Sequence, residues 1–156
     1  MFLINFIETN LSLVEESTYK TQSTFEVLLG EVVHFNRFEK HTITIYDSNI
    51  LHFVMHDGET LTAEDLCMSR KWTESIGGGR YLNLIEAGTK TEVEDSMRSS
   101  SASGGQNMHT IADAIVVKNL SQRIIANFYL RFNKPVKPTR IFSESESAAF
   151  WLMSFR

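Results

Sequence analysis

The chain predicts an α/β fold: a mixed, largely parallel sheet with an N-terminal β-hairpin and helices packed against it. Three observations carry this. "HTITIYD" and "ILHFVMHD", residues 41–47 and 50–57, are strand-like runs joined through Asp47-Ser48-Asn49, the form of an antiparallel hairpin. "YLNLIEA" (81–87) and "IADAIVVK" (111–118) are apolar on both faces, as strands covered on two sides must be. Helix-like segments lie between these strands, and strands that alternate with helices build parallel sheets.

The composition sets the frame. With 156 residues and 42% hydrophobic content, the chain suits one domain with a full core. A net charge of −4 argues against nucleic-acid binding, which needs a basic face to displace counterions from phosphates. The one cysteine, Cys67, has no intramolecular disulfide partner and suits a reducing compartment. "MFLINFIETNLSL" has no basic start, is interrupted by Asn5 and Glu8, and lacks a cleavage site. No run approaches the roughly 20 apolar residues of a membrane span. The expected location is the cytoplasm, without a transmembrane segment.

Residues 1–36 read as an N-terminal extension, with "FLINFI" and "FEVLLGEVVHF" flanking the polar "ESTYKTQST". Packing on the domain or on a second copy is one expectation; a partly mobile arm is the other. The domain itself is 37–156. After the hairpin, Thr62 caps a helix, with Asp65 closing the box and Leu61 stapling to Leu66, and Gly77-Gly78-Gly79 end it. "TEVE" at 91–94 reads as a second capping box, opening a helix through Met97 and Arg98.

"NLSQRIIANFYLRF" is amphipathic: Leu120, Ile124, Phe128 and Phe132 recur every fourth residue, with Ile125 widening the stripe. Asn119 and Gln122 fit its start, and Asn133 with Pro135 its end. "TRIFS" is a short strand. "SESE" at 143–146 caps a last helix that presents Ala148, Trp151, Leu152 and Phe155. Most C-terminal aromatics, including Phe128, Phe132, Phe142 and Phe150, are expected in the core, leaving a few for a pocket or dimer surface.

The order is therefore β-β-α-β-α-β-α-β-α. Together with "ADAIVVKNLSQRIIANFYLRFNKPVKPTRIF" and "ESAAFWL", it resembles the STAS fold of anti-sigma-factor antagonists and sulfate-transporter tails. The C-terminal half is closer still to a bacterial group of small STAS-like proteins of unknown function. The resemblance spans 39–156. It implies a sheet of about four or five strands and a binding or regulatory module rather than an enzyme. In anti-sigma antagonists a serine or threonine at the start of the helix after the third strand is the phosphorylation switch. The corresponding "IEAGTKTEVEDS" offers Thr89 and Thr91 as acceptor candidates, without the family's Asp-Ser and small, glycine-containing run.

Other chemical candidates are weighed against simpler readings. The glycine–serine run 99–105 lies between a helix and a strand, whereas a phosphate cradle leads from a strand into a helix. It reads as a connector. His52 and His56 on one strand are about 13 Å apart and do not share a metal. Cys67 sits inside a helix, as a packing residue. Ser121 with Arg123 forms a candidate anion contact near a helix start. Lys134, Lys137 and Arg140 in "NKPVKPTR" form a basic cluster suited to an acidic partner or a lipid headgroup.

No catalytic residue, metal ligand or cofactor is predicted. The expected function is a non-enzymatic STAS-like interaction or regulatory module whose partner includes a second copy, as a homodimer. One alternative is a small apolar-ligand or lipid carrier, because the STAS layout is similar to that of lipid-transfer domains. Another is a phospho-switch at Thr89 or Thr91.

Overall fold

The computed structural model describes residues 22–95 and 110–156. Its centre is a six-stranded sheet of order β1-β2-β3-β5-β7-β8. The strands are β1 (Val32–Arg37), β2 (His41–Tyr46), β3 (Ile50–Met55), β5 (Tyr81–Glu86), β7 (Thr110–Val116) and β8 (Thr139–Phe142). A two-stranded parallel ladder, β4 (Thr60–Leu61) with β6 (Glu92–Val93), stands beside it. The helices that lie wholly among the described residues are α1 (Thr24–Leu29), α2 (Ala63–Ser75), α3 (Leu120–Asn133) and α4 (Ser145–Met153).

The expected hairpin is present. β2 and β3 are antiparallel, with Ile43 opposite Phe53 and Ile45 opposite Leu51. Asn49 closes the turn at φ 64°, a left-handed conformation that asparagine tolerates better than most residues. The sheet then turns parallel, β3 to β5, β5 to β7 and β7 to β8. Leu84 lies beside Ala114 and Glu86 beside Val116, so the two central strands run together in the same sense. The fold class is the expected one: mixed, largely parallel, with helices against both faces.

The sheet is wider than the STAS resemblance implied, at six strands instead of about four or five. The added edge is β1, which pairs antiparallel with β2. α1 and β1 both come from residues 24–37, largely within the stretch read as an extension. α1 is held by a reciprocal box in which Ser23 Oγ accepts from the Glu26 N–H and the Glu26 carboxylate accepts from the Ser23 N–H.

One sheet face carries α1 and α4. There Leu82, Leu84 and Val116 pack with Leu29 and Leu152. Ala112 and Ala114 on β7 join the same cluster as Ala148 and Ala149 on α4, all fully buried. Small residues on both sides permit close approach of helix to sheet. The other face carries α2, with Ile43, Ile45, Leu51, Phe53 and Met55 in one cluster. α2 begins as predicted: Thr62 Oγ1 accepts from the Asp65 N–H, and Asp65 accepts from the Thr62 N–H. Gly77 and Gly78 follow its end at φ 108° and 58°.

Three local expectations fail. The helix begins at Asp95 and not at Thr91: Glu92 and Val93 form β6, where the Glu92 N–H donates to Glu59 O and the Glu94 N–H to Leu61 O. Pairing with a neighbouring strand outcompetes a local cap. Met97, Arg98 and the 99–105 run lie outside the described residues. At α4 the N-cap is Glu144, with no side-chain capping bond, so "SESE" supplies no box. The third failure is the orientation of α3. Leu120, Ile124, Phe128 and Phe132, expected to face the core, are 72%, 61%, 62% and 62% exposed. Phe150 on α4 is likewise exposed, while Phe142, Trp151 and Phe155 do pack against the core. Among the described residues, no helix is long and apolar enough to cross a membrane.

Candidate functional site

The outward turn of α3 creates the most distinctive feature of the molecule. Gln122, Ala126 and Tyr129 point back towards the sheet, and the small Ala126 at the middle of that row leaves space unfilled. A cavity of about 440 Å³ remains between α3, the sheet, the start of α2 and β6. That size falls within the range of small-molecule sites.

Its floor is graded. Asn83, Asp113 and Thr139 are direct neighbours across β5, β7 and β8, forming a polar row. Two residues further along come Ile85 and Ile115, and then Ala87 and Val117 beneath Leu61, Leu66 and Val93. The cavity thus runs from a hydrogen-bonding end to an apolar end.

The polar end is tightly built. Lys137 Nζ lies 3.0 Å from Asp113 Oδ2, both side chains mostly buried, and it also donates to Thr110 Oγ1. Asn83 Nδ2 donates to Asp113 Oδ1 at 3.1 Å. Asn83 Oδ1 is buried, lies among the cavity-lining side chains, and has no hydrogen-bond partner among the described residues. An acceptor so placed suits a ligand donor, since leaving it unmade is costly. Tyr129 borders the same end. Burial raises its phenol pKa, and the Asp113 charge adds to the effect, so it is a neutral hydroxyl at pH 7.

The mouth is fixed by backbone. Gln122 Nε2 donates to Gly88 O at 2.7 Å while its Oε1 accepts from the Lys118 N–H, tying the first turn of α3 to the end of β5. Thr91 Oγ1 donates to the same Gly88 carbonyl. A Cβ at Gly88 would come within 2.5 Å of Met55 O, so this close approach requires glycine.

The sequence-selected residues separate here. Thr91 and Lys137 line the cavity. Thr89 is exposed at its rim, its N–H donating to Asp57 Oδ1. Ser121, Arg123 and Lys134 are exposed on α3 and its C-cap. Arg140 is on the opposite sheet face, its guanidinium 5.2 Å from the Phe142 ring centre. The basic cluster of Lys134, Lys137 and Arg140 is therefore split, because adjacent strand positions face opposite ways.

Asn83 and Asp113 were missed in the sequence. The available signal was one polar residue in the middle of each of two otherwise apolar strands, which a sheet interior tolerates only with partners. His52 donates to Glu86 at 3.0 Å, and that bond is the main cause holding the Glu86 carboxyl below its usual range. His56 Nδ1 donates to Glu39 O, leaving Nε2 to accept from Thr42 Oγ1. Cys67 is partly buried on α2. Among the described residues, no three His, Cys, Asp or Glu side chains are grouped to hold a metal ion.

A mixed, largely parallel sheet with helices on both faces and a graded, partly open cavity beneath α3 defines an α/β domain. Residues 43–156 match the family described as a domain of unknown function, DUF7793, and the chain belongs to that family. α1, β1 and the first two residues of β2 precede the matched region. Among solved structures, the chain is similar to an uncharacterised protein of the DUF3478 family from Shewanella loihica PV-4. That protein has a SpoIIAA-like fold. The two are 15% identical, with 78% of this chain and 92% of that one covered, at a TM-score of 0.47. No curated protein matches the chain.

Proposed function

We propose that this domain is a non-enzymatic binding module whose ligand is a small, mainly apolar molecule carrying one neutral hydrogen-bond donor. The observation that carries this reading is the unpartnered, buried Asn83 Oδ1 at the polar end of an otherwise apolar cavity. Lys137 is already paired with Asp113, so the site presents little net charge to a ligand head group. A hydroxyl or amide at the Asn83 end and an acyl or aryl body along Ile85, Ile115 and Val117 match the gradient. A fatty carboxylate would face Asp113 and is disfavoured.

The test uses the fluorescent probe N-phenyl-1-naphthylamine, followed by competition with long-chain alcohols and fatty acids. The wild-type protein is expected to enhance the probe's emission, and alcohols to displace it better than carboxylates. Ala126→Trp, which fills the cavity from α3, is expected to weaken probe binding by at least about tenfold, the loss that follows from displacing a ligand's apolar burial. No enhancement with wild type, together with bare protein in native mass spectra, would remove the proposal.

Self-association is supported by a separate observation. β1 is an edge strand whose Val33 and Phe35 are 53% and 62% exposed, and such edges pair readily with another copy. A homodimer formed there is expected to sediment as a monomer after Phe35→Glu. A wild-type protein that is monomeric at all concentrations would exclude it. For a phospho-switch, Thr89 stays accessible, but Glu92 and Val93 just after Thr91 form a strand and the helix begins at Asp95, so neither threonine lies in the first helical turn that favours phosphate.

A further inference from the structure

We propose that the outer face of α3 docks this domain on an anionic lipid surface. Leu120, Ile124, Phe128 and Phe132 form one exposed row, and the rings of Phe128 and Phe132 are in contact, with centroids 4.1 Å apart. The row spans about 18 Å along the helix, at the α-helical rise. Val136, just beyond the helix end, is also 75% exposed.

Charge selects the occupant. From Lys118 to Arg140 the sequence contains no Asp or Glu, although the chain as a whole carries a net charge of −4. Arg123, Arg131 and Lys134 flank the apolar row, all exposed. An apolar stripe with basic flanks is the pattern of a helix lying in a membrane interface, its cations reaching the headgroups. A second copy fits less well. Pairing α3 with α3 across a two-fold axis would bring these cations against their own equivalents, with no acid on either helix to offset them.

This face is distinct from the cavity, which uses the opposite side of α3. The proposal therefore stands without the ligand reading, and its test separates the two. The full chain is floated with phosphatidylcholine vesicles and with vesicles containing phosphatidylglycerol. Wild type is expected to bind the anionic vesicles and to lose most of that binding when salt rises above about 0.5 M, where screening is within a few ångströms.

Reversing Arg123→Glu and Arg131→Glu together is expected to reduce the partition coefficient by more than about tenfold, given the contribution of each cation near an anionic surface. Phe128→Ser with Phe132→Ser is expected to do the same, and Ile124→Asn provides an independent apolar variant should the double change impair folding. Ala126→Trp, inside the cavity, is expected to leave vesicle binding intact. Equal binding to neutral and anionic vesicles, no binding to either, or unchanged binding in the charge-reversed variant would overturn the proposal. So would a wild-type dimer that the Phe128 and Phe132 substitutions dissociate.

Discussion

Replacing His41 with leucine is expected to remove most of the acid sensitivity of folding between about pH 6.5 and 4.5, the interval that begins at the histidine reference pKa. The imidazole is fully buried and stacked between Phe38 and Phe53, with ring centroids 4.5 Å apart on each side. Ser69 Oγ donates to Asp65 O, so the 2.6 Å contact with His41 is one in which His41 Nε2–H donates to Ser69 Oγ. Nδ1 has no partner among the described residues, and a proton there would find no acceptor among them. Burial pushes the imidazole pKa from 6.5 down to about 4; Asp65 pulls it back up, while His56 and Lys40 add to the fall.

The direction follows from linkage. In the unfolded chain His41 takes up a proton near pH 6.5, whereas in the folded protein it stays neutral until about pH 4. Acid therefore favours the unfolded chain across that window. Stability is full above it and falls by about 3 kcal/mol as pH drops through it, at 1.36 kcal/mol per unit. Below about pH 4 this contribution levels off, because both states are then protonated.

The native carboxylates act later. Burial would raise the Asp65 pKa, but hydrogen bonds from Thr62 and Lys40 outweigh it, and both Asp65 and Glu86 end below their ordinary values. Their stabilisation is lost only as pH falls past those ordinary values. Urea unfolding of wild type and His41→Leu from pH 7.5 to 4.5 separates the effects. A slope that persists in the variant would show that His41 is not the group responsible.

Lys137→Met is expected to destabilise the domain by about 3–5 kcal/mol, the cost of stranding a buried partner charge. Asp113 would remain between β5 and β8 with only Asn83 donating to it among its described side-chain contacts. Adding Asp113→Asn to Lys137→Met is expected to restore much of the loss, since the leftover group is then neutral. Chemical unfolding of the two single variants and the double one measures this coupling. A loss under about 1 kcal/mol in Lys137→Met would show a solvated pair and a wetter cavity floor, in the range of surface ion pairs.

Legibility differed by element. The α2 cap could be read from Thr62 and Asp65 because both partners sit three residues apart in the chain. "TEVE" has the same local form, yet Glu92 and Val93 pair with Thr60 and Leu61 some thirty residues earlier, a competitor that local spacing does not reveal. The polar row shows the same limit: Asn83 and Asp113 are individually visible, but that they share a face and a register follows only from β5 lying beside β7.

By itself, the sequence determined the alternation of strands and helices, the hairpin, the parallel centre and the caps that local hydrogen bonds enforce. Those features depend on residues a few positions apart, whose periodicity and backbone preferences are set before any packing. Tertiary structure alone decided which side of α3 meets the sheet. Its apolar row was plain in the sequence, but burial is a property of the neighbours. Here α3 turns Gln122, Ala126 and Tyr129 inward and leaves Leu120, Ile124, Phe128 and Phe132 to solvent, and that choice opens both the cavity and the outer face.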